Sequence, residues 1–159
     1  MKKYYIRLSV GRAELESLAM LAETEEERFF SQNSHLDQPY RKRLIAAALC
    51  QGAALQYLGR GKGVNDFDVH FFYRQNPQKP HLSRAVKRIQ ARVGAFQAVP
   101  VDFIRTVIPS RLCSVRPRGT VKLLQAFLSK TPTDNARCLA QKAVIGLLPR
   151  KLLGKTIWG

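Results

Sequence analysis

Three aspartates carry the chemistry that this chain offers. Asp66 and Asp68 flank Phe67 in GVNDFDVHFFY, residues 63–73, and Asp102 sits within FQAVPVDFIRTVI, residues 96–108. In a strand, residues i and i+2 point the same way, about 6.5–7 Å apart along the chain. Asp66, Asp68 and then His70 therefore share a side, while Phe67, Val69 and Phe71 face a core. Two carboxylates this close repel unless water screens them or a cation lies between them. With a third converging on them they supply the hard oxygen ligands of a Mg²⁺ pair, with Mn²⁺ as a substitute, and leave positions open for phosphate oxygens and water. A bare D-x-D alone reads first as the polar side of a half-exposed strand.

Scarcity changes that weighting. The chain has 27 Lys and Arg against 11 Asp and Glu, a net charge of +16. Six of the acids fall at Glu14, Glu16, Glu23, Glu25, Glu26 and Glu27. Beyond residue 28 only Asp37, Asp66, Asp68, Asp102 and Asp134 remain, so the three aspartates are most of the acids in a basic background. Such a balance points to a polyanionic partner, a nucleotide or a nucleic acid.

The elements that must position these residues follow from periodicity. Leu15, Leu18, Ala19 and Ala22 give an N-terminal helix over 11–31, with its glutamates on a solvated face. SQNSHLDQP, 31–39, reads as a loop. Residues 40–58 read either as one long alanine-rich helix or as a buried strand at Leu44–Cys50 followed by a helix from Ala53; Gly52 argues mildly for the break. A strand covers 65–73. Ser83 then caps a helix over 84–94, with Val86, Ile89 and Val93 as its stripe, Arg84, Lys87, Arg88 and Arg92 as a basic face, and Gly94 at its end. A second strand covers 96–108, where Pro100 marks an edge or a strand start. Helices follow at 121–129 and, from Asp134 as N-cap, at 135–148, stopped by Pro149. The expectation is one α+β domain over 1–159. Its small mixed sheet bears the carboxylates and its core spans about 40–108. Helical extensions cover 11–31 and 120–159. The helix between the two carboxylate strands gives a β-α-β-like order that brings them into one sheet.

On these residues the chain resembles the nucleotidyltransferase-fold superfamily, the DNA polymerase β-like proteins. The resemblance rests on QGAAL at 51–55, DFDV at 66–69 and VDF at 101–103, and covers about residues 44–104. The pattern is closest to the abortive-infection toxin-type and minimal nucleotidyltransferases. The resemblance implies Mg²⁺-dependent transfer of an NMP from an NTP to an acceptor hydroxyl. Asp66 and Asp68 would hold both metals and Asp102 the catalytic one. Gly52 and Ala53 would meet the phosphates, and Arg60 and Lys62 in GRGKG would neutralise them. Gln51 stands where the pattern has a glycine, and Ala53 where it commonly has serine or threonine. The basic charge tilts the acceptor toward RNA such as tRNA, and a toxin-type relative implies a neutralising protein partner.

The alternative from another class is a non-catalytic nucleic-acid-binding protein that uses the basic stretches 84–94 and 105–118. His70 and Lys142 are weaker candidates for the metal and phosphate sides, and each reads first as structural or solvated. Cys50, Cys113 and Cys138 show no zinc-ligand spacing and fit reduced thiols in the cytoplasm. The lysines at the N-terminus precede no sustained apolar run, so no signal peptide is expected. The longest apolar run, Leu44–Cys50, is far too short to span a membrane.

Overall fold

The computed structural model describes residues 5–82, 85–114, 119–130 and 133–159, without the side chains of 114, 130 and 134. It is an α+β fold built on one six-stranded mixed sheet. Along the chain come α1 (Arg12–Gln32), α2 (Ser34–Tyr40), β1 (Leu44–Cys50), α3 (Gln51–Tyr57), β2 (Phe67–Arg74), β3 (Lys87–Val93), β4 (Phe96–Ile108), α4 (Ser110–Ser114), α5 (Thr120–Lys130), α6 (Asp134–Ala140), β5 (Ala143–Leu148) and β6 (Thr156–Trp158). The sheet order is β3-β4-β2-β1-β5-β6. Only β2 and β4 run parallel; the other neighbours are antiparallel.

Strand alternation sorts the core into two layers. Leu49, Phe67, Val69, Phe71, Val101 and Phe103 pack with Leu15, Leu18 and Ala22 of α1 on one face. Ala48, Cys50, Phe72 and Val144 pack with Leu123, Phe127, Ala136 and Leu139 of α5 and α6 on the other. β1 and β5 are covered on both faces, which is why LIAAALC and AVIGLL are apolar without alternation.

Four segments differ from the sequence expectation. Residues 87–93 are a strand, not a helix. Ile89, Ala91 and Val93 alternate with the exposed Arg88, Gln90 and Arg92, and pairing with β4 fixes that period. Ser83 and Arg84 lie outside the described residues. Gly94, at φ 53°, is then the turn of a β3–β4 hairpin rather than a helix end. Its tip docks on α1, where Ala95 N–H donates to Glu14 at 3.1 Å and Gly94 N–H to Ser17 at 3.1 Å. A Cβ at Gly94 would run into the Glu14 carboxylate, so a larger residue there would have to displace Glu14 from its bond to Ala95.

The expected helix over 135–148 ends at Ala140, and Ala143–Leu148 form β5 between β1 and β6. Thr133, not Asp134, caps α6, its hydroxyl accepting from Ala136 N–H. The expected loop at 31–39 contains α2. The glutamate face of α1 is not simply solvated, since Glu14 and Glu25 are buried and Glu23, Glu25 and Glu26 pair with arginines elsewhere. Pro100 precedes the first β4 residue that β2 pairs, Val101, so it lies where β4 has β3 alone as neighbour.

Among the described residues no helix is long and apolar enough to cross a membrane.

Candidate metal centre

The register of the sheet assembles the carboxylates. β2 and β4 run parallel with Asp68 directly beside Asp102, and neighbouring strands lie about 4.8 Å apart. Asp66 stands immediately before β2. One oxygen from each of Asp66, Asp68 and Asp102 can be chosen so that all three lie within 4.8 Å of one another. Phe67 and Val69, fully buried on the α1 face, anchor the strand that carries them.

These carboxylates lie unevenly in solvent. Asp102 is buried, and Asp66 and Asp68 are half-buried. Burial pushes the Asp68 carboxyl up to about 7. The charges of Asp66 and Asp102 add to that push, and Arg88 and Lys142 oppose it. The cluster is thus short of positive charge at Asp68, where a divalent cation would relieve both the burial cost and the repulsion.

Arg88 supplies part of that charge. It faces Asp102 in the β3–β4 register. Its Nε donates to Asp102 Oδ1 and its Nη2 to Asp102 Oδ2, both at 2.7 Å, and Nη2 also reaches Asp66 Oδ2 at 3.2 Å. The fork is a strong bidentate pair. Its side chain is nevertheless 55% exposed.

Asp66 and Asp68 open into a cleft of about 460 Å³ that is also lined by Gly52, Ala53, Asn65, His70, Asn135 and Lys142. The turn from β1 into α3 brings Gly52 and Ala53 there. Gln51 takes φ 66°, the left-handed conformation that glycine adopts at little cost. That is a physical reason for a glycine at this position in the pattern the chain resembles. A Cβ at Gly52 would meet nothing within 4 Å, so its backbone is open to the cleft.

His70 is 5% exposed, and its Nδ1 has no hydrogen-bond partner among the described residues. Burial lowers its pKa to about 4, so the ring is neutral. A buried, unpaired nitrogen on the wall of a polar cleft points to a ligand or water that completes it.

No family model, curated protein or solved structure matches the chain.

Of the residues singled out from sequence, Asp66, Asp68, Gly52, Ala53, His70 and Lys142 line one cleft, and Asp102 lies against it beside Asp68. Arg60 and Lys62, on the adjoining turn, are not among its lining residues. The sequence places Arg88 on a helix face and gives Asn135 no role. Period two over 87–93 puts Arg88 on a strand, and only the register of β3 against β4 sets it across from Asp102. Asn135, fixed by its 2.9 Å bond to Thr106, left no sequence signal.

Proposed function

We propose that the protein is a metal-dependent nucleotidyltransferase that moves an NMP from an NTP to a hydroxyl of an acceptor. The observation that carries this reading is the triad of carboxylates within 4.8 Å, two of them opening into a cleft that holds an unpaired buried histidine. Three carboxylates suit a hard cation such as Mg²⁺ or Mn²⁺ and not a thiophilic one.

Asp66, Asp68 and Asp102 would hold the metal. When bound, it supplies Lewis-acid activation of the hydroxyl and neutralises phosphate charge. Gly52 and Ala53 offer backbone to the phosphates, and Lys142 adds positive charge on the same wall. In the reaction the acceptor oxygen bonds to the α-phosphorus, the α–β anhydride bond breaks and pyrophosphate leaves. The hydroxyl proton passes to one of the three carboxylates. Arg88 and the cation draw on the same oxygens of Asp102 and Asp66, so the two compete.

The acceptor that best fits a chain of net charge +16 is RNA. A second reading, a non-catalytic RNA-binding protein on a degenerate site, draws on the neutralisation of two of the three carboxylates by Arg88.

Incubation with Mg²⁺ and each labelled NTP, with total RNA and with protein as acceptors, separates the two. Label should pass to an acceptor with the wild type and not with Asp66→Ala. RNA binding without transfer by either protein would favour the second reading and sink the first.

A further inference from the structure

An exposed apolar strip meets the cleft at one residue, Tyr5. Tyr5, Ile6 and Leu8 are exposed at 47%, 40% and 44%, and they are three of the five large apolar side chains left in solvent among the described residues. Tyr5 also lines the cleft, beside Asn65 and Asp66.

The strip is built in place. Ile6 and Val64 form an antiparallel bridge with two backbone hydrogen bonds of 2.8 Å. Gln56 ties it further, its Nε2 donating to Leu8 O at 3.1 Å and its Oε1 accepting from Gly63 N–H at 3.0 Å. Gly63 sits at φ 112°, and a Cβ there would lie 2.9 Å from Ile6 O and 3.1 Å from Tyr5 Cβ. The bridge is therefore as close as a glycine permits, and it holds residue 5 next to the approach to Asp66.

We infer that Tyr5 is the stacking surface for the nucleobase of the bound nucleotide. The inference rests on the nucleotidyltransferase reading and deepens it. The cleft is polar where Asp66, Asp68, Lys142 and the open Gly52 backbone meet, which is where phosphates belong. Its aromatic surface is at Tyr5. A nucleotide has the same division, a charged triphosphate and a flat apolar base. An aromatic ring held by its backbone offers a π-face to any base without selecting one, because every base stacks. The Ile6–Val64 bridge and the Gln56 bond to Leu8 hold the segment that follows this exposed tyrosine.

The test compares two ligands, both with Mg²⁺, by titration calorimetry: an NTP analogue with a non-cleavable α,β-methylene link, and inorganic tripolyphosphate. Tyr5→Ala should weaken the analogue by at least about fivefold, the low end of a base-stacking contribution, and leave tripolyphosphate unchanged. Tyr5→Phe, which keeps the ring, should bind both as the wild type does. Wild-type affinity of Tyr5→Ala for the analogue overturns the inference while leaving the nucleotidyltransferase reading intact. An equal loss of both ligands overturns it too, since that is disturbance of the cleft. If the wild type binds neither ligand, the reading beneath it falls as well.

Discussion

Arg105 and Arg88 each answer carboxylates from other elements of the same domain, but in opposite surroundings. Arg105 points from β4 into the layer under α1 and is 3% exposed. Its Nη1 donates to Glu25 at 2.9 Å and its Nη2 to Glu26 at 3.2 Å. The guanidinium carbon lies 3.7 Å from the Phe29 ring centroid and 4.7 Å from that of Phe71. Arg28 also pairs with Glu25, and the Tyr73 hydroxyl donates to Glu26. Two carboxylates meet two arginines, so the charge balances, although Arg105 Nε is buried without a hydrogen-bond partner among the described residues. At the cleft, three carboxylates meet one half-exposed arginine in direct contact, with Lys142 on the same wall, so negative charge is left over. Removing one partner of a buried charge pair is strongly destabilising. A cluster left short of charge in a cleft is where a cation or a substrate completes the match.

The largest expected contrast is in stability. Arg105→Met leaves Glu26 without an arginine and Glu25 with Arg28 alone, and should cost about 3–5 kcal/mol in denaturant unfolding, which Mg²⁺ does not restore. Arg88→Met should cost less, and excess Mg²⁺ should recover it by binding only the folded state. Equal losses that are equally insensitive to Mg²⁺ would erase the distinction between the two clusters.

Metal affinity sharpens it. Removing Arg88 frees both oxygens of Asp102, so Arg88→Met should bind Mn²⁺ about tenfold more tightly, or about 1.4 kcal/mol, as read by titration or electron paramagnetic resonance. Unchanged or weaker binding would mean that Arg88 does not compete with the cation.

A further contrast is in pH. The folded Asp68 carboxyl, at about 7, keeps a proton that the unfolded chain releases near 3.8. Metal-free stability should therefore fall as pH rises from about 4 to about 7, and Asp68→Asn should remove that part of the slope in a series of melting curves. No difference in slope between the two proteins would mean that Asp68 is as comfortable ionised as in water.

Legibility in the sequence tracked how local each decision was. α1, α5, β2 and β4 follow patterns long or strict enough to admit one period. Residues 87–93 do not: Ile89 and Val93 fit a helical stripe, and Ile89, Ala91 and Val93 fit a strand. Residues 143–148 are apolar throughout and carry no period at all, since β5 is buried between β1 and β6. Gly146 could only be read once Leu152 was in place, with its carbonyl oxygen 2.3 Å from where a Cβ would stand. The glutamates of α1 read as a solvated face because their arginine partners Arg105 and Arg150 lie about 80 and 127 residues away in sequence.

The candidate site divides the same way. By itself the sequence determined that Asp66 and Asp68 accompany each other, because strand alternation is a property of the chain's own backbone. It also determined that acids are scarce around them. Only the tertiary structure decided that Asp102 stands beside Asp68, that Arg88 forks onto Asp102, and that Tyr5 borders the cleft. Each of these depends on register between strands or on a bridge distant in sequence. Register is fixed by what both partners bury, and no single segment contains that information.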